Sequence, residues 1–174
     1  AEVVLISGPT SLTPPPGIRL IKVKTANQMY DAVFAEYHDK NVIIKAAAVS
    51  DFRCEKIHQE KLKKDSLKPV INLVENKDIL LEIGSVRDPQ KQLLIGFAAE
   101  STNIEKEGLR KLKKKQLDLI AINDIVGENR GFESDNNQLL LIDAEGKKKQ
   151  LPHESKVKTA EILWDYIIEN GYLK

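Results

Sequence analysis

Apolar residues along this chain follow two alternating rhythms. Short, nearly continuous runs mark buried strands: Val3–Ile6, Val42–Ala46, Leu93–Phe97 and Leu117–Ile122. Ile18, Leu20 and Val23 alternate with basic residues as a further short strand, and Val70–Val74 supplies a weaker one. Between these runs the spacing changes to that of helices. Thr25 is placed to cap a helix with Met29, Val33 and Tyr37 on one face, and Asn76 to cap a shorter one with Ile79, Leu80 and Ile83 inward. A charged helix spans about Asn103 to Gln116, and Ser155 caps a last helix with Ala160, Leu163, Trp164 and Ile167 on one side. Leu139–Ile142 and Lys147–Leu151 flank Asp143-Ala144-Glu145-Gly146, a turn of hairpin type. Strand–helix alternation closed by a hairpin predicts an α/β fold. It should be a Rossmann-like three-layer sandwich, with a mainly parallel sheet and a C-terminal antiparallel hairpin, in one domain over residues 1–174.

Composition narrows the function classes. With 27 basic and 26 acidic residues among 174, the chain lacks the charge excess expected of a bulk nucleic-acid binder. No apolar run approaches the ~20 residues of a membrane span. The single cysteine, Cys54, excludes an internal disulfide framework and suits a reducing cytoplasm. His38, His58 and His153 are scattered, without metal-ligand spacing. The sequence opens on Ala1-Glu2 and enters a strand at once, with no signal-peptide layout, so a native segment is expected ahead of residue 1.

Candidate chemistry gathers where strands end. Val42–Ile44 runs into Ala46-Ala47-Ala48 and then Asp51, with Lys61, Lys63 and Lys64 following. Open α/β sheets bind ligands at the carboxyl ends of their strands. There an aspartate suits ribose hydroxyls and lysines suit phosphate, so a nucleotide site is the first expectation. Gly96-Phe97-Ala98-Ala99-Glu100 and Asn123-Asp124 end two further strands; the small residues admit either a ligand or tight helix packing. Lys111 and Lys115, four apart, share a helix face and read either as a polyphosphate clamp or as a solvated surface. Asn76-Lys77-Asp78-Ile79 reads either as a plain N-cap or as a helix start that receives an anion or a base edge. Ser7-Gly8-Pro9-Thr10 lacks the glycine spacing of a phosphate loop.

In order, the pieces LISGPTSLTPP, IIKAAAVSDFR, EKLKK, NKDIL, GFAAES, KKKQLDLIAIND and GFESDNN closely resemble the phosphopantothenoylcysteine synthetase (phosphopantothenate–cysteine ligase) domain of bacterial coenzyme A biosynthesis. The resemblance covers nearly all of residues 1–170. It implies a cytoplasmic ligase that uses CTP and Mg2+ to join 4′-phosphopantothenate to L-cysteine through an acyl-cytidylate, releasing pyrophosphate and CMP. By position, Asp51 would contact the CTP ribose and Lys61 the reacting phosphate and acyl group. Lys77, Asp78, Ile79 and Leu80 would line the cytosine pocket with backbone groups, with Phe97 beside them. Lys111 and Lys115 would hold the triphosphate, and Ala47 and Ala48 would present backbone to the pantothenoyl arm. The implied partners are a second copy in a homodimer, with the 139–151 hairpin as a candidate edge, and a flavin-dependent decarboxylase, fused or separate.

Two departures stand out. The family's first strand and its phosphate and acyl loop, which precede the strand at Val3, are not among these residues, which implies a catalytically incomplete portion. Lys77 stands where some relatives carry proline. The rival classes are a nicotinamide-dependent oxidoreductase, which the absence of a G-x-G-x-x-G turn disfavours, and a non-catalytic dimerising interaction module. The segment Gly131–Asn137 reads equally as a lid, an interface loop or plain surface.

Overall fold

The computed structural model describes residues 1–56, 60, 70–124 and 136–173. These fall into two compact units, one made of Ala1–Val33 with Ala48–Asp78, the other of Phe34–Ala47 with Ile79–Lys174.

The first unit holds two small sheets. Strands β1 (Val4–Ser7) and β2 (Arg19–Lys22) pair in parallel, and the chain then enters helix α1 (Ala26–Glu36). Thr25 caps that helix as the sequence predicts: its Oγ1 accepts the Gln28 N–H at 3.1 Å, while Gln28 Oε1 accepts the Lys24 N–H at 2.7 Å. β3 (Val42–Lys45) belongs to the second unit. Beyond it the chain forms an antiparallel ribbon, β4 (Phe52–Cys54) with β5 (Leu73–Glu75). The residue pattern predicts strand character only at the second of these. Asn76 does not cap a helix. Its N–H donates to the Asp51 carbonyl at 2.7 Å, its Nδ2 donates to the Ser50 carbonyl at 2.9 Å, and its Oδ1 accepts from Arg53 at 3.1 Å. The helix starts later, as α2 (Ile79–Val86).

The second unit is built on a five-stranded sheet that includes β6 (Leu93–Glu100), β7 (Leu119–Asp124), β9 (Leu139–Asp143) and β10 (Lys148–Gln150), in the order β10-β9-β7-β6-β3. β3, β6 and β7 run parallel; β9 and β10 add the antiparallel hairpin. Between them, β8 (Asn136–Asn137) makes a two-residue antiparallel pairing with β11 (Glu154–Ser155). The hairpin turn uses Gly146 at φ +86, a left-handed conformation, where its N–H donates to the Asp143 carbonyl at 3.0 Å.

Strand alternation distributes side chains to two covering layers. On one face Leu93, Ile95, Leu119, Ala121, Leu139 and Leu141 form a core with Leu163, Tyr166 and Ile167 of helix α4 (Lys156–Glu169). On the other lie α2 and α3 (Ile104–Lys114), with Leu80 over Gly96 and Gly108 over Ile122 and Ile142. The unit is therefore the three-layer α/β arrangement expected. Ser155 Oγ accepts the Lys158 N–H at 3.2 Å and caps α4 as predicted. The buried face of α4 is rotated from the predicted one: Thr159 and Tyr166 are inside with Leu163 and Ile167, while Ala160 and Trp164 are exposed. Ala160 and Trp164 lie three residues before Leu163 and Ile167, on the flank of the apolar stripe. Thr159 can go inside because its hydroxyl donates to the Glu154 carbonyl at 3.4 Å.

At the amino ends of the parallel strands, Arg87 is the fastening. Its guanidinium donates to Asp118 Oδ2 at 2.6 Å, to the Gln116 carbonyl at 2.9 Å and to the Gln92 carbonyl, and Asp118 Oδ2 also accepts the Leu94 N–H at 2.7 Å. Beside it, Gln92 donates to the carbonyls of Tyr37 at 2.6 Å and Lys40 at 2.9 Å. The partly buried Asp118 of the LDLIAIND motif is thereby committed to holding β6 and β7 together.

Candidate functional site: the carboxyl rim of the sheet

Within the second unit, the predicted site residues Ile79 and Leu80 stand on α2, Phe97 on β6 and Lys111 on α3, with Lys115 just past its end. Ile79 and Leu80 open α2 and are 3% and 4% exposed, so both residues belong to the packed interior of the unit. Gly96 is the first surprise. A Cβ there would lie 2.7 Å from a Leu117 methyl and 3.0 Å from a Leu80 methyl. Of the two accounts open for this glycine, close packing is the one realised; no space for a ligand lies against it.

Phe97 also differs from expectation. It follows Gly96 on a strand, so its ring leaves by the opposite face and packs against the core beneath α4 rather than beside Leu80. The period of two that buries Leu93 and Ile95 on that side carries Phe97 with them.

α3 presents its lysines with a defined geometry. Its C-terminus closes in a Schellman turn: Gln116 donates to the Lys113 carbonyl at 3.3 Å and Leu117 to the Leu112 carbonyl at 3.0 Å, with Gln116 left-handed at φ 51. This turn sets the Lys115 backbone against α2, where a Cβ on Gly84 would fall 2.0 Å from the Lys115 carbonyl oxygen. One turn earlier, Lys111 Nζ lies 2.5 Å from Oε1 of Glu100, the last residue of β6. Arg110 takes Glu107 at 2.8 Å, and its guanidinium holds that carboxyl below the ordinary value. Glu100 stands within the GFAAES motif but carries no role predicted from sequence. The signal was present: Gly96, Ala98 and Glu100 share one face of the strand, the face that α3 covers.

Ala46, Ala47 and Ala48 are exposed just past β3, and Lys45 Nζ donates to the Ala47 carbonyl at 2.9 Å. In the first unit, Asp51 is exposed, with its carbonyl taken by Asn76. Lys77 Nζ sits 4.1 Å from the centroid of the Tyr30 ring, a cation–π contact that occupies its charge. Asp78 is half-buried. Lys61 and residues 131–135 lie outside the described residues, as does the Asp124 side chain. Among the described residues no cluster of His, Cys, Asp or Glu could hold a metal ion. No helix among them is long and apolar enough to cross a membrane.

The layered sheet and its covering helices define a three-layer α/β domain with a lysine-rich helix, α3, on one face. The chain belongs to the family of DNA/pantothenate metabolism flavoprotein C-terminal domains, whose model matches residues 1–170. It is 42% identical over 166 residues to the coenzyme A biosynthesis bifunctional protein CoaBC of Vibrio vulnificus strain CMCP6, covering 94% of this chain and 41% of that protein. Against CoaBC of Escherichia coli K12 it is 39% identical over 171 residues, covering 97% and 42% respectively. The chain thus spans about two-fifths of these relatives. A crystal structure of the C-terminal domain of CoaBC superposes with a TM-score of 0.78 at 36% identity, covering 95% of this chain and 72% of that one. Cab2 mutant H337A in complex with phosphopantothenate-cysteine shares the fold, with a TM-score of 0.62 at 18% identity, covering 90% and 56%.

Proposed function

We propose that this chain is the nucleotide-binding part of a phosphopantothenate–cysteine ligase that uses CTP. The observation that carries the reading is the placement of α3. Lys111 reaches Glu100 at the end of β6, and the backbone of Lys115 lies against Gly84 of α2. Point charges from α3 suit a polyphosphate, and main-chain N–H and C=O groups at the start of α2 suit the edge of a base. The family membership and the CoaBC relatives support a role in coenzyme A biosynthesis.

In this reading the substrate carboxylate attacks the α-phosphorus of CTP. The bond to the β-phosphate breaks, pyrophosphate leaves with its magnesium, and an acyl-cytidylate remains. The cysteine amine then attacks the acyl carbon, loses its proton and expels CMP, leaving an amide. Such chemistry depends on positioning and charge neutralisation more than on a protein nucleophile. Lys111 and Lys115 neutralise the triphosphate, Asp51 accepts from the ribose hydroxyls, Lys61 meets the reacting phosphate, and Ala47 and Ala48 leave the backbone open to the pantothenoyl arm. Magnesium, bound to the nucleotide's phosphates, would screen their charge. We further infer a cytoplasmic homodimer working beside a flavin-dependent decarboxylase. The β10 edge of the hairpin, which carries Lys148 and Lys149, stays the candidate edge for that pairing.

The test is thermal denaturation with CTP, ATP or NAD, each with magnesium. At about a hundred times Kd a ligand stabilises by ~2.7 kcal/mol, which for a chain of this size raises Tm by roughly 5–11 °C. CTP should give that rise and Lys111→Gln should remove most of it. Equal rises with ATP, or none with any nucleotide, would overturn the assignment.

A further inference from the structure

Glu100 ends β6 on the face that α3 covers, two residues past Ala98 and four past Gly96. Helix side chains lean toward the helix amino terminus, which turns Lys111 up toward the rim, where its ammonium meets Glu100 Oε1 at 2.5 Å. The carboxylate side chain is 15% exposed and the lysine 32%. Oε1 itself is buried without a directed hydrogen bond, so the contact is an ion pair and Lys111 is the charge that satisfies it.

We propose that Glu100 is the resident counter-charge of Lys111, with which an incoming polyphosphate must compete, and that it thereby sets how tightly this site holds polyphosphate. The inference rests on the nucleotide reading above. The carboxylate is anchored at the end of a core strand and stays in place when an anion arrives. Phosphate oxygens must then take the ammonium from a carboxylate that already holds it, so each contact with Lys111 is made at the expense of the ion pair. That cost grows with the number of phosphate oxygens that draw on Lys111, and it outweighs the benefit of keeping one lysine ordered. Glu100 thus penalises pyrophosphate and CTP more than CMP, and a looser hold on pyrophosphate eases its departure after the first half-reaction. It is a positioning and charge-setting residue; it touches no reacting atom.

Isothermal titration of magnesium pyrophosphate, magnesium CTP and CMP into the wild type, Glu100→Gln, Glu100→Asp, Lys111→Gln and the Glu100→Gln/Lys111→Gln pair tests this. At low salt Glu100→Gln should tighten pyrophosphate and CTP by about five- to twentyfold and CMP by less than about threefold. Glu100→Asp, whose carboxylate is drawn back by one methylene, should tighten pyrophosphate by about two- to fourfold, so it decides the matter alone if the glutamine variant does not fold. In the Lys111→Gln background the gain should shrink below about twofold, because the two side chains act on the ligand together. Unchanged or weaker pyrophosphate binding by folded Glu100 variants, or a gain that persists in full without Lys111, refutes the proposal while leaving the nucleotide reading intact. Wild-type protein that binds neither CTP nor pyrophosphate refutes both.

Discussion

Gly84→Ala tests the contact that places Lys115 beside α2. The new methyl would sit 2.0 Å from the Lys115 carbonyl oxygen and 3.0 Å from its carbon, whereas ordinary contact begins near 3.4 Å. The gap must therefore open by roughly 1.4 Å. The obstacle is backbone, and it is held by the Schellman bonds that close α3, so no side-chain rotation relieves it. Overpacking of this kind costs about 1–3 kcal/mol, and an obstacle that cannot swing aside puts Gly84 at the upper end. Alanine recovers about 1 kcal/mol of helix propensity over glycine. The net cost is about 2 kcal/mol, a fall in Tm of roughly 4–8 °C. Gly108→Ala is the matched control: its methyl would meet the Ile122 Cδ1 at 2.1 Å, the mobile tip of a side chain, and the same propensity gain brings the change within about 1 kcal/mol of zero. Urea denaturation of both variants with a common m-value gives the two costs directly, and CTP titration at a temperature where both are folded should show Gly84→Ala binding more weakly. A Gly84→Ala protein that melts within a degree of the parent, or a larger loss at Gly108, would refute the reasoning, because α2 and the end of α3 would then not be in backbone contact.

Three more outcomes follow from particular contacts. Gln116 occupies a left-handed position at φ 51 that glycine adopts freely, so Gln116→Gly should stabilise the chain by roughly 0.5–1 kcal/mol, read as a higher urea midpoint. Arg87→Met removes the cation paired with Asp118 and leaves a largely buried carboxylate, so equilibrium unfolding should show a loss of about 3–5 kcal/mol. Tyr172 donates to Asp143 Oδ2 at 2.7 Å, and burial first, then that hydrogen bond, raise its pKa above the ordinary value near 10. The unfolded chain therefore releases this proton before the folded one does. The stability it contributes is full below pH 10 and is lost progressively as pH rises beyond it. Tyr172→Phe should cost about 1–2 kcal/mol at pH 7 and flatten the alkaline limb of the stability profile.

Much of the molecule was legible in the order of its residues. Continuous apolar runs announced β3, β6 and β7, the Thr25 and Ser155 hydroxyls marked the starts of α1 and α4, and Gly146 marked the hairpin turn, because each of these depends on neighbours a few positions away. The motif order likewise pointed to the family. Tertiary packing decided the rest. Whether Gly96 admits a ligand or a helix depends on Leu80 and Leu117, sixteen and twenty-one positions away, and the methyls of both fill the space. The Asn76 side chain was free to cap α2 until Ser50 and Arg53, brought close by the β4–β5 ribbon, engaged it instead. Alternation along β6 already implied that Phe97 and Glu100 leave by opposite faces, but only the layers on either side gave those faces different meanings. One became the core under α4, and the other brought Glu100 to Lys111. Local sequence sets the period of a strand and the cap of a helix through bonded geometry and short-range hydrogen bonds. The partner that a side chain meets across the sheet is fixed by how the layers close, and no short stretch of chain contains that information.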